Sequence, residues 1–236
     1  MLAYVSANKK LVQYIRDNNL KAGDRLPTET ELSEILQTGR LSLREAMNAL
    51  KSEGILHAVQ GKGTFVVCDY NHIADTLNVN YSVTEMIEIS GYKPSISFFE
   101  KNLVKADTHI AKKLHVQEGS DVLMCTRIHL ADETPVVLSE DCLAPALVTE
   151  FLGIADESIS LYSFVEKHCG IKVGFCVTEI EPTLADDRCA GLLNVEAGVP
   201  LLKLYVHVSD VYGAPLIYAI EHFRPDKFKF IVTRGR

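Results

Sequence analysis

Polar side chains recur at four-residue intervals in the segment GRLSLREAMNALKSEGILHAVQGKGTFV, which spans residues 39–66. They are Arg40, Arg44 and Asn48, and on a helix this spacing places them in one row. An arginine guanidinium can donate two hydrogen bonds to O6 and N7 of guanine. The row is therefore a candidate surface for reading base edges in the major groove of DNA.

The elements that would position this row have the spacing of a helix-turn-helix. A first helical pattern covers residues 4–18, and a second helix begins after Thr28, which is expected to form a capping box with Glu31. A turn containing glycine at 37–39 leads into a third helix over residues 41–52. In a helix-turn-helix this last helix enters the major groove.

Two short strands follow the third helix and predict a wing. They cover residues 55–60 and 64–67 and flank Gly61, Lys62 and Gly63. The two glycines supply the positive φ angles of a tight hairpin tip and leave its backbone open to a phosphate or the minor groove. A lone Gly-Lys-Gly is usually only a turn, and the phosphate-binding P-loop pattern is absent. The order of helices and strands predicts a winged helix-turn-helix.

Charge is distributed unevenly along the chain, whose formal net charge is −7. Residues 1–67 hold nine Lys or Arg against seven Asp or Glu, a balance of +2, so the remainder holds −9. This asymmetry indicates that only the N-terminal domain meets a polyanion.

The N-terminal domain resembles the DNA-binding domain of GntR-type bacterial transcription regulators. The resemblance rests on GDRLPTE, R-x-x-x-R-E-A, L-x-x-E-G-I-L and Q-G-K-G-T-F-V. It implies DNA contacts by Arg40, Arg44 and the wing tip. The family usually has Ser or Thr at the position of Gly39, so a capping hydroxyl and phosphate contact are lost here, and Leu41 replaces a common Thr. The candidate DNA-binding residues are Thr28, Arg40, Leu41, Ser42, Arg44, Asn48, Gly61, Lys62 and Gly63.

An internal repeat organises the rest of the chain. After a linker over residues 68–82 and a short helix near 82–90, residues 107–119 match residues 186–198 at an offset of 79. Each copy has an Asp helix cap, a short helix and a strand that enters a hairpin. Two such units, each preceded by a strand, predict an antiparallel sheet with helices packed on it, an α+β domain.

The repeat also singles out two cationic side chains. Arg127 and His129 stand where the second copy has Val206 and Val208. A buried arginine needs a partner. That partner is either an internal acid such as Glu140 or Glu179, or an anionic ligand, and the ligand is the favoured alternative.

The C-terminal part resembles the UTRA effector domain of the HutC subfamily of GntR regulators, which has a chorismate-lyase-like fold. The segments are R-I-H-L-A-D-E-T-P, S-L-Y-S-F-V-E-K-H-C-G and P-L-I-Y-A-I-E-H-F-R-P-D. The resemblance implies anion contacts by Arg127, Ser160 and Tyr162. His129 replaces a second arginine, which weakens the anion site or makes it pH-sensitive. The candidate ligand-binding residues are Arg127, His129, Glu140, Ser160, Tyr162, Glu179 and Phe223.

Several other classes of protein are not favoured. No apolar run is long enough to span a bilayer, and no secretory signal is evident, so we expect a cytoplasmic protein. The six cysteines form no C-x-x-C pair and are interpreted as reduced, buried thiols. Neither a metal site nor a cofactor is predicted. The expected domains are a winged helix-turn-helix at 1–67, a linker at 68–82 and an effector-binding and dimerisation domain at 83–236.

Together these features predict a ligand-responsive transcriptional regulator, in the repressor mode. It would bind a palindromic double-stranded DNA operator as a homodimer and respond to a small anionic metabolite, such as a sugar phosphate, a phosphonate or an organic acid. An enzyme acting on a small organic acid is the alternative, although no nucleophile elbow, metal cluster or catalytic carboxylate pair supports it. A DNA-binding protein without an effector is a third possibility.

Overall fold

The computed structural model describes residues 3–52, 54–67, 73–76, 80–153 and 160–231. The chain divides into two compact units. The head unit comprises 1–81, 85–93 and 228–236, and the body unit comprises 82–84 and 94–227. Cys68 and the parts of the predicted linker at 68–72 and 77–79 lie outside the described residues.

Three helices form the predicted helix-turn-helix in the head unit. They are α1 (Ala3–Asp17), α2 (Glu29–Ile35) and α3 (Arg40–Ser52). Thr28 caps α2, and the expected capping box with Glu31 is present. The helices enclose an apolar cluster that also includes residues of the wing: Leu11, Val12, Ile15, Leu26, Leu32, Leu43, Met47, Leu50, Ile55, Leu56 and Val66.

The wing is a two-stranded antiparallel hairpin. Strands β1 (Leu56–Val59) and β2 (Gly63–Val66) pair with Val59 opposite Gly63, so the predicted strand boundaries shift by about one residue. Gly61 and Gly63 have φ angles of 74° and 117°, a region that side chains other than glycine rarely adopt. The tip geometry therefore depends on these two glycines, as predicted.

A second small sheet in the head unit was not predicted. Strand β3 (Ile73–Thr76) lies within the predicted linker and pairs in parallel with β10 (Phe228–Ile231) near the end of the chain. Helix α4 (Val83–Ile89) follows, where a short helix was predicted. This pairing could not be predicted, because strands so far apart along the chain are brought together only by the tertiary fold.

The body unit contains a six-stranded antiparallel sheet in the order β4-β5-β6-β9-β8-β7. Its strands are β4 (Pro94–Lys105), β5 (Asp121–Ala131), β6 (Thr134–Leu143), β7 (Val173–Leu184), β8 (Pro200–Asp210) and β9 (Pro215–Phe223). The predicted α+β class is confirmed. The β6–β9 pair joins the two hairpins at the centre of the sheet.

The two repeats fold alike. Helices α5 (Thr108–Leu114) and α8 (Asp187–Leu193) are capped by the side chains of Asp107 and Asp186, each of which accepts a hydrogen bond from a backbone N–H three residues later. Both helices end in a left-handed residue, His115 in α5 and Asn194 in α8. The sequence repeat is thus a repeat of cap, helix and stop.

The two faces of the sheet differ in the helices that pack on them and in the polarity of their side chains. Helices α5 and α8 pack on one face, against apolar clusters that include Cys142, Tyr218, Ile128 and Leu138. The opposite face, here called the inner face, carries Arg127 and Asp141, and Tyr162 of α7 (Leu161–Lys167) reaches it. Helix α6 (Pro145–Leu152) completes the body unit.

Candidate nucleic-acid interface and effector site

The predicted row on α3 points to solvent. The opposite side of the helix buries Leu43, Ala46, Met47 and Leu50, so burial fixes which side remains outward. The candidate DNA-binding residues Arg40, Leu41, Arg44 and Asn48 are exposed, and Ser42 is half-buried. The geometry therefore leaves a continuous polar side of α3 available to a major groove.

Arg44 is held in place by an ion pair at the surface. Its Nε and Nη2 atoms each lie 3.1 Å from Oε2 of Glu29, the first residue of α2. The arginine side chain stays 62% exposed. Exposed pairs of this kind contribute about 0–1 kcal/mol, so DNA can replace Glu29 as the partner at small cost.

The wing tip adds a second cationic position. Gly61 and Lys62 are exposed and Gly63 is half-buried, while Thr28 is exposed at the N-terminus of α2. Arg25 was missed by sequence reasoning: its guanidinium lies against Gly63, so close that a Cβ there would sit 2.7 Å from Arg25 Nε. Its position inside the GDRLP motif was the available signal.

Arg127 has an internal counter-ion. Its Nε and Nη2 atoms donate to Oδ2 of Asp141 at 3.1 and 2.8 Å, and the two residues are 5% and 2% exposed. An internal acid was one of the two alternatives left open by the sequence, and the structure supplies one in Asp141, not in Glu140 or Glu179 as suggested there. Alternation along β6 and β7 turns both glutamates to the other face of the sheet, where Glu140 binds Arg188 and Glu179 is exposed.

A chain of hydrogen bonds extends from the ion pair. The Ser139 hydroxyl lies 3.1 Å from Asp141 Oδ2 and donates to it, so it accepts from His129 Nε2 at 3.2 Å. Burial, together with the neighbouring Arg127 charge, holds the pKa of His129 well below its usual range. His129 is therefore neutral near pH 7, and the pH-sensitive anion site predicted from its type is not supported.

The remaining predicted residues lie at the start of α7 and on β9, and Tyr162 of α7 reaches the inner face. Burial raises the pKa of the Tyr162 phenol, as do the Cys176 thiol and the Glu221 carboxylate nearby. Ser160 caps α7, is buried, and donates a hydrogen bond to Ser82 Oγ at 3.1 Å. Phe223 is fully buried on the same face, in register with Val137.

The acids of the inner face were missed by sequence reasoning, although the repeat held the signal. Asp141 and Glu221 each stand six residues after a proline at the beginning of the second strand of a hairpin; these prolines are Pro135, the second residue of β6, and Pro215, the first residue of β9. Both side chains point to the inner face, since Ser139 pairs with Glu221 across the β6–β9 junction. The site thus holds an acid from each repeat and a guanidinium from one.

Metal and membrane functions have no support in the described part of the chain. No cluster of three or more His, Cys, Asp or Glu there could hold a metal ion. None of its helices is long and apolar enough to cross a membrane.

Two family models match the sequence. Residues 90–229 match the UTRA domain, and residues 3–66 match the gntR family of bacterial regulatory proteins. This chain is a GntR-family regulator with a UTRA domain. The matches cover the helix-turn-helix with its wing and the six-stranded sheet, as the resemblance predicted.

Relatives of the regulator span nearly its whole length. It is 26% identical over 229 residues to the HTH-type transcriptional regulator GgaR of Escherichia coli K12, covering 97% of this chain and 89% of GgaR. It is 25% identical over 228 residues to the HTH-type transcriptional repressor NagR of Bacillus subtilis 168, covering 97% and 93%.

Solved structures share the fold. The possible transcriptional regulator YydK from Bacillus subtilis aligns with a TM-score of 0.66 at 20% identity, covering 100% of both chains. The chain is a ligand-responsive transcriptional regulator, because its family and relatives are regulators and not enzymes. The enzyme alternative is thereby set aside.

Proposed function

We propose that this regulator is a homodimeric repressor that grips a palindromic operator with α3 and the wing and responds to a small effector bound at the inner face. The observation that carries the proposal is the exposed row Arg40, Arg44 and Asn48, held outward by a buried opposite side and flanked by the wing cations. A regulator that binds an operator works where the DNA is, so we expect it in the cytoplasm. The named repressor among the relatives supports the repressor mode.

The inner face supports a role in effector binding. Tyr162 of the predicted site reaches the face that carries Arg127, and polar groups from both repeats converge there. Glu140 and Glu179 face away from it, so this proposal leaves them out. The anionic effector class predicted from the sequence stays a prediction, and the internal counter-ion of Arg127 supports another class.

The dimer proposal rests on the sheet edge at β7. This strand pairs only with β8 among the described strands, so one row of its backbone groups is open to a partner. Phe175 and Val177 are 63% and 61% exposed on it. An open edge with exposed apolar side chains favours pairing with another chain, and a second copy would set two heads on two half-sites.

Substitution of Arg44 tests the proposal. With an operator selected from random DNA by the wild-type protein, we expect Arg44→Ala to weaken specific binding by about 10- to 100-fold, because a base contact is worth about 1–3 kcal/mol. Binding is measured by fluorescence anisotropy at fixed salt concentration.

Arg188→Ala is the matched control. It also removes an arginine side chain, which is 54% exposed and paired with Glu140, but this arginine lies in the body unit. We expect its operator affinity to equal that of the wild type. Equal affinities of the Arg44 variant and the wild type would refute the assignment of α3 as the recognition helix.

A further inference from the structure

On the inner face, the buried guanidinium of Arg127 is already paired with the carboxylate of Asp141. Arg127 uses two of its nitrogen atoms on Asp141, and the Ser139 hydroxyl donates to the same carboxylate oxygen. A phosphate or carboxylate placed on Arg127 would therefore lie beside an existing buried anion. Like charges at such separations disfavour each other, most strongly where water is excluded.

The other charged groups nearby do not make the site more favourable for an anion. Glu221 adds a second carboxylate to the inner face, and His129 is neutral. Lys101 pairs with Cys125 across β4 and β5, so it lies on the same face and its positive charge offsets that of Glu221; its ammonium is 3.5 Å from the carbonyl oxygen of Leu152. In the sequence, segments 68–79 and 154–159 contain neither lysine nor arginine.

The Arg127–Asp141 ion pair uses only one of the two carboxylate oxygens, so it keeps hydrogen-bonding capacity for a ligand. Among the described residues, the side-chain hydrogen bonds of Asp141 all use Oδ2, and those of Arg127 use Nε and Nη2. The carboxylate of Asp141 therefore keeps a second acceptor in Oδ1, and the guanidinium of Arg127 keeps a further donor in Nη1. Adjacent hydroxyl groups, each of which donates and accepts, match such a pair without adding charge.

We propose that the effector of this regulator is an uncharged, hydroxyl-bearing metabolite recognised by the Arg127–Asp141 pair, and that Asp141 excludes phosphorylated ligands. The proposal rests on the effector role given to the inner face above. It replaces the anionic class that the type of Arg127 predicted. Tyr162 lies on the same face, with its buried phenol near Cys176 and Glu221.

Inorganic phosphate tests the exclusion directly. Isothermal titration of the full-length wild type with phosphate, at constant ionic strength, should give no saturable binding that depends on the ion pair. Asp141→Asn, which leaves Arg127 charged and without its counter-ion, should bind phosphate at least tenfold more tightly than the wild type. The double variant R127M/D141L, which replaces the pair with apolar side chains, should bind none.

Either of two results would overturn the proposal. One is wild-type phosphate binding that disappears in R127M/D141L; the other is a folded Asp141→Asn protein that gains no phosphate affinity. If Asp141→Asn does not fold, the comparison of the wild type with R127M/D141L still decides. The titration contains no DNA, so failure of the repressor function, seen as operator binding unaffected by Arg44→Ala, is a separate result.

A matched panel extends the test to the operator complex. Glucose, galactose and mannose, each beside its 6-phosphate, are added to the complex of wild-type protein and selected operator. Release of DNA by an unphosphorylated sugar supports the proposal. Release by a phosphorylated sugar alone contradicts it.

Discussion

At the scale of single residues, burial decides which charges survive on the inner face. The buried Arg127 is paired with Asp141 within hydrogen-bond distance, whereas burial beside that cation holds the pKa of His129 well below its usual range. A bare sequence shows the types of these residues but not their solvent exposure. The same histidine would titrate near neutrality on a surface.

Burial of His129 predicts a pH dependence of stability. Its pKa is depressed in the folded state, so the unfolded chain binds the extra proton as the pH falls below about 6.5. Stability from this group is present above that pH and is lost below it. Between pH 7.5 and 5.5 we expect it to lower the free energy of unfolding by about 1.4 kcal/mol.

Urea unfolding of His129→Gln checks this prediction, because glutamine can still donate to Ser139 but does not titrate. His207 and His222 also have lowered pKa values and remain in both proteins, so their effect cancels in the comparison. An identical loss of stability in the variant and the wild type would contradict it.

At the scale of elements, α3 lacks the side-chain cap that α2 has. Gly39 precedes the first residue of α3, and its carbonyl accepts from the N–H of Leu43, but it has no hydroxyl to satisfy the free N–H groups of the first turn. Thr28 performs that task for α2. The recognition helix α3 thus begins without the side-chain N-cap that stabilises the start of α2.

Gly39→Ser should therefore stabilise the protein. No atom lies within 4 Å of the position a Cβ would take, so the side chain fits. A serine cap and the reduced freedom of the unfolded chain together contribute up to about 1 kcal/mol. Operator affinity should rise as well, because the hydroxyl can reach a phosphate.

Thermal unfolding and operator binding are measured for this variant and for Gly39→Ala. Alanine restricts the unfolded chain equally but cannot cap, so it should bring no gain in affinity. A serine variant no more stable than the alanine variant would show that the missing cap has no consequence here.

At the scale of the whole molecule, function requires two heads, and the two edges of the sheet differ. On β7, Val177 is 61% exposed and Phe175 lies near it; on β4, Leu103 is 52% exposed. We expect Val177→Lys to shift the protein from a dimer to a 26.2 kDa monomer in sedimentation velocity. Pairing of two β7 edges would bury the lysine charge among apolar side chains, which destabilises the dimer.

Leu103→Lys provides the matched control on the other edge and should remain dimeric. The monomeric variant should also lose most of its operator affinity, since each head would then bind a half-site alone. Dissociation by Leu103→Lys and not by Val177→Lys would assign the dimer to β4 instead.

The sequence by itself determined the local elements. Helix caps, the glycines of the wing, the apolar side of α3 and the 79-residue repeat all act between residues close in the chain, so they could be predicted. The same local pattern placed Arg40 and Arg44 on the outward side of a helix, and the structure agrees.

Only the tertiary structure decided the partners. Whether Arg127 meets Asp141, Glu140 or Glu179 depends on which faces of neighbouring strands coincide, and a register shift of one residue would exchange Asp141 for Glu140. The pairing of β3 with β10 and the nearness of Arg25 to the wing arise in the same way. The sequence determines the chemistry that each side chain can perform. Long-range strand pairing determines which other side chain lies close enough to be its partner.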